Sequence, residues 1–174
     1  MKNIEIERKF IVLVENLPDL SKQAYRDINQ GYIQNFLGSS YIYRLRQVLH
    51  MSPTNYNLGE QCYQTIKGTG TKIREEYEVE LLKPQFHILW PLCKNISVHK
   101  YRYELPLEGH KQRAYLDVYK NNLNGLYTVE VEFDNELDCD SFIAPSWFGE
   151  EVTHLQEYSN FYLAMNGIPK KIKL

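Results

Sequence analysis

The chain lacks several things that would have settled its class at once. No apolar stretch approaches the roughly 18 residues of a membrane-spanning helix. The start reaches the charges Glu5, Glu7, Arg8 and Lys9 before any signal-peptide core could form. These absences predict a soluble, cytoplasmic protein with no membrane partner. Cysteine is scarce, and Cys62, Cys93 and Cys139 are odd in number, widely spaced and without a CxxC pair. They support neither a disulfide framework nor a zinc ribbon and read as buried thiols. An excess of positive charge is missing too: 20 Lys and Arg against 22 Asp and Glu leave a net charge of −2, with no long basic run. A nucleic-acid partner held along an extended basic surface is therefore excluded. His50, His87, His99, His110 and His154 lie far apart and fit no HExxH pattern. Gly68-Thr69-Gly70-Thr71-Lys72 lacks the Walker spacing and reads as a hairpin turn, and no Ser or Cys sits in a nucleophile elbow.

What the chain does have is charge at alternate positions in strand-like segments. Glu5/Glu7/Lys9, Arg44/Arg46, Lys67, Arg74/Glu76/Glu78/Glu80, Lys100/Arg102, Asp117 and Glu130/Glu132 each project to one face of a strand. Their neighbours Ile4, Ile6, Phe10, Tyr77, Val79, Val129, Val131 and Phe133 project to the other. A charged strand face is ordinarily a solvated one. Here the two signs come in blocks, as a polyanion held with metal ions would require. The expected fold is α+β and mainly β: an eight-stranded antiparallel barrel with a polar, water-filled interior and helices on its apolar outside.

The 174 residues suit one domain, 1–174, able to bury its own core, with no repeat and no linker. Alternation and turn residues predict strands at about 3–13, 29–36, 40–49, 61–67, 73–82, 97–104, 113–119 and 127–134. Helices are expected at about 17–26, 84–93, 138–144 and 153–166, the last opened by a Thr153/Gln156 capping box. Residues 50–60 read as a long hairpin loop.

Glu5-Ile6-Glu7-Arg8-Lys9 resembles the ExExK signature of the CYTH, or triphosphate tunnel metalloenzyme, family. In the same order as the compact bacterial members follow Gln30-Gly31-Tyr32, Arg44-Leu45-Arg46, Thr65-Ile66-Lys67-Gly68, Arg74-Glu75-Glu76-Tyr77-Glu78, Lys100 with Arg102, Leu116-Asp117-Val118, Val129-Glu130-Val131-Glu132 and Trp147 through Thr153. The resemblance spans roughly 4–166. It implies an eight-stranded tunnel that binds a triphosphate and divalent cations, in a family that includes inorganic triphosphatases, thiamine triphosphatases and one class of adenylate cyclase. The chain departs from the family in three places. Met165 stands where a basic residue is usual in the last helix. Asn121-Asn122-Leu123-Asn124-Gly125 replaces an acidic loop and is expected to touch only the tunnel mouth. The 50–60 loop looks long. Lys170 or Lys171 of the basic tail could fold back to supply the charge missing at Met165.

Within that frame Lys9, Arg44, Arg46, Lys67, Arg74, Lys100 and Arg102 are the phosphate-binding cations, guanidinium groups gripping two oxygens and lysines acting as point charges. Glu5, Glu7, Glu78, Glu80, Asp117, Glu130 and Glu132 are the metal-side carboxylates. An all-oxygen donor set selects Mg²⁺ or Mn²⁺ over Zn²⁺. Glu130, Glu132, Asp117 and Lys9 are the expected catalytic groups, serving metal-assisted in-line attack of water on the terminal phosphorus. The expected activity is hydrolysis of inorganic triphosphate or a related small triphosphate by a monomer or homodimer. The alternatives are a class IV-type adenylate cyclase, a thiamine triphosphatase, or a polyphosphate- or nucleotide-binding module without turnover.

Overall fold

The structure is a computed structural model that describes residues 3–33, 42–67, 73–93 and 95–170; the side chains of residues 3–5, 67 and 73–75 fall outside that description. Eight strands dominate: β1 (Asn3–Ile11), β2 (Tyr25–Ile33), β3 (Ile42–Met51), β4 (Asn57–Lys67), β5 (Ile73–Leu81), β6 (Ser97–Pro106), β7 (Arg113–Tyr119) and β8 (Tyr127–Phe133). Three short helices accompany them, α1 (Lys83–Leu89), α2 (Glu136–Ser141) and α3 (Asn160–Asn166). Every pairing is antiparallel, and the order β1-β5-β4-β3-β2-β6-β7-β8 returns to β1. β1 makes this possible by dividing its length. Its first residues pair with β5 through Ile6↔Ile73, and its second part pairs with β8 from Ile6↔Phe133 to Ile11↔Thr128.

Where β5 has left β1, residues 149–152 take over the vacant side. The Ile11 amide donates to the Glu150 carbonyl at 2.9 Å, the Gly149 amide to Ile11 at 2.8 Å, and the Val152 amide to Lys9 at 2.8 Å. A side chain at Gly149 would place Cβ 2.7 Å from the Ile11 carbonyl oxygen, so only glycine allows the approach. Gly31 plays the same part for the segment after α1, since a Cβ there would meet Cys93 Sγ at 2.6 Å and the Trp90 ring at 2.9 Å.

The expected alternation holds over most of the ring. Ile6, Phe10, Leu105, Ala114, Leu116, Val129, Val131 and Phe133 point outward and are buried beneath Cys139, Phe142 and Phe148. On another side Tyr43, Leu45 and Cys62 are covered by Phe86 of α1 and by Cys93. β5 differs. Tyr77 and Val79 are exposed, 56% and 36%, because α1 packs on β4 rather than on β5. Cys62, Cys93 and Cys139 are buried thiols that form no disulfide among the described residues, as expected.

Four local expectations need correction. No helix occupies 17–26: a 3₁₀ turn at Val14–Asn16 precedes open chain, and β2 already starts at Tyr25. The 50–60 loop is shorter than it looked, because β3 runs to Met51 and β4 begins at Asn57 around a turn with Asn55 at φ 63°. The last helix covers only Asn160–Asn166 and is capped by Ser159, whose Oγ accepts from the Tyr162 amide at 3.2 Å. Thr153 caps nothing; its Oγ1 instead accepts from the Lys9 amide at 3.0 Å and donates to Glu151 at 2.7 Å. The 121–125 segment also does more than border an opening. Leu123 and Leu126 are buried with Val98, Tyr119 and Leu163 of α3 at one end of the ring. Among the described residues no helix is long and apolar enough to cross a membrane.

Candidate functional site

Strand register decides which charges meet on the inner face. Glu7 lies opposite Glu132, Lys9 opposite Glu130, Arg102 opposite Asp117, and Thr65 opposite both Arg44 and Glu78. Together they bound a cavity of about 870 Å³ lined by Glu7, Gln30, Arg44, Arg46, Glu76, Glu78, Lys100, Arg102, Tyr115, Glu130, Glu132 and Asn160, and continuing to Lys111–Arg113 and Asp134.

One wall is organised around Asp117. It is fully buried, at 0% exposure, and both oxygens are taken: Lys100 Nζ and Arg102 Nη2 reach Oδ2 at 2.6 and 2.7 Å, and Arg102 Nε reaches Oδ1 at 2.7 Å. Arg102 also donates to Glu130, which is paired with Lys9 Nζ at 3.1 Å. Lys9 Nζ donates in addition to the Tyr158 carbonyl at 2.9 Å, so the chain beyond Thr153 helps to aim it. Burial alone would raise the Glu130 carboxyl, yet Arg102, Lys9 and Lys100 hold it well below the usual range. Burial opposes the charge on Lys9, but Tyr119, Glu130 and Asp117 keep it above the ordinary lysine value. Lys100 goes the other way. Burial, reinforced by Arg102, outweighs Asp117 and brings it down to about 8.

The facing wall carries Arg44 and Arg46. Arg44 Nη2 donates to Thr65 Oγ1 at 2.9 Å, Glu76 at 3.0 Å and Glu78 at 3.1 Å. Arg46 Nη2 donates to both Glu78 oxygens at 3.1 and 2.9 Å. Its guanidinium stacks over Tyr63 at 5.4 Å, as that of Arg102 does over Tyr115 at 5.7 Å. Arg46 Nε is buried without a protein partner among the described residues. Burial and the neighbouring Arg44 bring Arg46 down to about 10, so an anion beside it would be strongly favoured.

The structure thus brings together Glu7, Lys9, Arg44, Arg46, Glu78, Lys100, Arg102, Asp117, Glu130 and Glu132. Lys9 and Asp117 lie behind the cavity wall rather than in it, and Glu80 is exposed and outside the lining. The side chains of Glu5, Lys67 and Arg74 fall outside the described residues; their backbones pair as Glu5↔Arg74 and Lys67↔Glu76. Met165 is 47% exposed on α3, Lys170 is exposed, and Lys171 lies outside the described residues. Sequence reasoning missed Gln30, Thr65, Tyr63 and Tyr115, all in phase with a charged position on the same strand. Asn160 had no such signal: it arrives on α3, where its Oδ1 accepts from Tyr119 Oη at 2.6 Å.

Among the described residues no group of three or more His, Cys, Asp or Glu side chains is assembled to hold a metal ion. The donor chemistry nevertheless suits one. Glu7 and Glu132 are directly opposite across β1 and β8 and both line the cavity. Like charges so placed repel, and a hard cation between them relieves the repulsion.

Opposed walls carrying both signs of charge thus enclose a cavity inside a ring of antiparallel strands. Over 162 residues, 93% of this chain and 97% of the relative, the sequence is 39% identical to the inorganic triphosphatase of Nitrosomonas europaea. A crystal structure of an inorganic triphosphatase superposes with a TM-score of 0.64 at 34% identity, covering 95% of this chain and 97% of that one. A candidate adenylate cyclase from Bacillus halodurans shares the fold, with a TM-score of 0.50 at 17% identity over 99% of this chain and 96% of the other. No protein-family profile matches the chain. The chain belongs to the CYTH family of the Nitrosomonas inorganic triphosphatase.

Proposed function

We propose that the protein hydrolyses the terminal phosphate of inorganic triphosphate, or of a related small triphosphate, inside the charged tunnel, with a divalent cation. The observation that carries this reading is the buried Arg46 Nε, without a partner among the described residues, in a wall shared with Arg44 and facing Lys100 and Arg102. A buried donor without an acceptor is costly, and a phosphate oxygen supplies one. The kinship with an inorganic triphosphatase supports the choice of anion.

Arg44 and Arg46 on one side and Lys100 and Arg102 on the other grip the phosphate oxygens, and Asp117 acts from behind by fixing Lys100 and Arg102. Glu130 keeps Lys9 and Arg102 in place, and a carboxyl held so low is a poor proton acceptor. Glu132, on the exposed part of the wall, orients the attacking water. The water oxygen bonds to the terminal phosphorus, the bond to the bridging oxygen breaks, and orthophosphate and diphosphate leave while the water proton passes to solvent. Glu7 and Glu132 would hold Mg²⁺ or Mn²⁺, which would neutralise phosphate charge and acidify a bound water.

The test is phosphate release from inorganic, thiamine and nucleoside triphosphates with Mg²⁺ and Mn²⁺. Release of orthophosphate from the inorganic substrate is expected, and Arg46→Gln should raise KM about tenfold or more by removing a charged hydrogen bond. Triphosphate binding without turnover under any divalent ion would make the protein a binding module. Cyclic AMP formed from ATP would make it a cyclase.

A further inference from the structure

Lys9 is held at three points by the segment that follows α2. It pairs with Glu130 across β1 and β8, yet its own amide and carbonyl point the other way, to the side that β5 has left. The Val152 amide donates to the Lys9 carbonyl at 2.8 Å. The Lys9 amide donates to Thr153 Oγ1 at 3.0 Å, so a side-chain hydroxyl stands where a neighbouring strand would offer a carbonyl. The Tyr158 carbonyl then takes the Lys9 ammonium at 2.9 Å.

The Thr153 hydroxyl has one proton to give, and Glu151 Oε1 at 2.7 Å is a nearer acceptor than the Lys9 carbonyl at 3.4 Å. Glu151 is clamped in turn by Arg8, whose Nε reaches Oε1 at 3.0 Å and whose Nη2 binds Oε2. Arg8 lies over the Phe10 and Phe142 rings, and its Nη1 donates to the Phe142 carbonyl at 2.9 Å, just past the end of α2. The Arg8 hydrogen bond holds the Glu151 carboxyl below its usual range, so it stays an acceptor for Thr153. Arg8 and Lys9 are consecutive and project to opposite faces of β1. An ion pair on the outside of the ring thus ends, through one hydroxyl, on a buried cation inside it.

We infer that Thr153 and Glu151 are positioning residues of the phosphate site: they transmit the docking of Arg8 on the outside of the ring to Lys9 on its inside. Lys9 in turn fixes Glu130, which Arg102 shares, and Arg102 lines the cavity. A displaced Lys9 leaves Glu130 to draw on Arg102 and turns that guanidinium away from the anion. The inference rests on the proposed function for its anion and adds two residues that lie outside the cavity lining.

The experiment is a double-mutant cycle between positions 153 and 9, read by calorimetric affinity for inorganic triphosphate and by KM and kcat with Mg²⁺ or Mn²⁺. Thr153→Val keeps the shape, loses the hydroxyl, and weakens binding and raises KM about fivefold. Thr153→Ser restores the hydroxyl and stays within about twofold of the wild type. Glu151→Ala, at a part-exposed position, acts in the same direction by about threefold. On a Lys9→Met background both losses shrink below about twofold, because no ammonium is left to place. Wild-type values in Thr153→Val and Glu151→Ala, a loss in Thr153→Ser equal to that in Thr153→Val, or full losses on the Lys9→Met background overturn the inference, the last by showing a merely structural role. Binding without phosphate release ends the proposed turnover, while the affinities still decide the positioning. If triphosphate does not bind at all, the proposed function fails and the nitrogen resonance of the Lys9 ammonium decides. That signal persists in the wild type and Thr153→Ser and is lost to solvent exchange in Thr153→Val; its survival there overturns the positioning.

Discussion

At the scale of single residues, the cations that line the cavity are held by charges placed behind them. Asp117 sits under Lys100 and Arg102 with both oxygens engaged and no exposure. Asp117→Asn would leave two buried cations short of a counter-charge, and such losses cost about 3–5 kcal/mol. We expect that loss in denaturant unfolding, together with a fall in kcat/KM; unchanged stability would show that the cations find other partners. Lys100 predicts a pH effect. Its folded value, about 8, is below the ordinary 10.5, so folding disfavours its charged form. The charge therefore weakens the fold below pH 8, and this penalty is relieved as pH rises from 8 toward 10.5. A bound triphosphate favours the charged ammonium, so affinity should fall as pH rises through 8, and binding near that pH should take up protons. Calorimetry in buffers of different ionisation enthalpy measures the uptake, and its absence would remove Lys100 from the anion contact.

At the scale of elements the join between β1 and residues 149–152 is the most exacting. Gly149 lets the two backbones meet where β5 has departed, and Val152 then brings Thr153 onto the Lys9 amide. Gly149→Ala should lower stability by about 1–3 kcal/mol, since the contacting atom is backbone and cannot swing aside. Gly59→Ala, with nothing within 4 Å, should be near neutral in the same thermal melt. Strands β1, β3 and β5 to β8 were legible to within a few residues because charge and hydrocarbon alternate along them. The sequence pattern starts β2 at 29, yet the strand begins at Tyr25, because Tyr25, Arg26 and Asp27 give no apolar phase. The last helix was overextended for a related reason: Val152, Leu155 and Tyr158 have helical spacing but pack as open chain and a 3₁₀ turn.

At the scale of the molecule, a divalent ion held as proposed between the facing carboxylates Glu7 and Glu132 would couple its binding to folding. Mn²⁺ or Mg²⁺ should raise the melting temperature of the wild type, and Glu132→Gln should reduce that rise. A full rise in the variant would place the ion elsewhere. The amino-acid order alone determined which side chains share a face, because residues two apart in a strand must point the same way, and so it grouped the cations and acids that line the cavity. Only the tertiary structure decided which acid meets which cation, that Asp117 lies behind the wall, that Glu80 lies outside it, and that α3 packs on Leu123 and Leu126. Those outcomes depend on register between strands distant in sequence and on helix docking, and local periodicity carries no information about either.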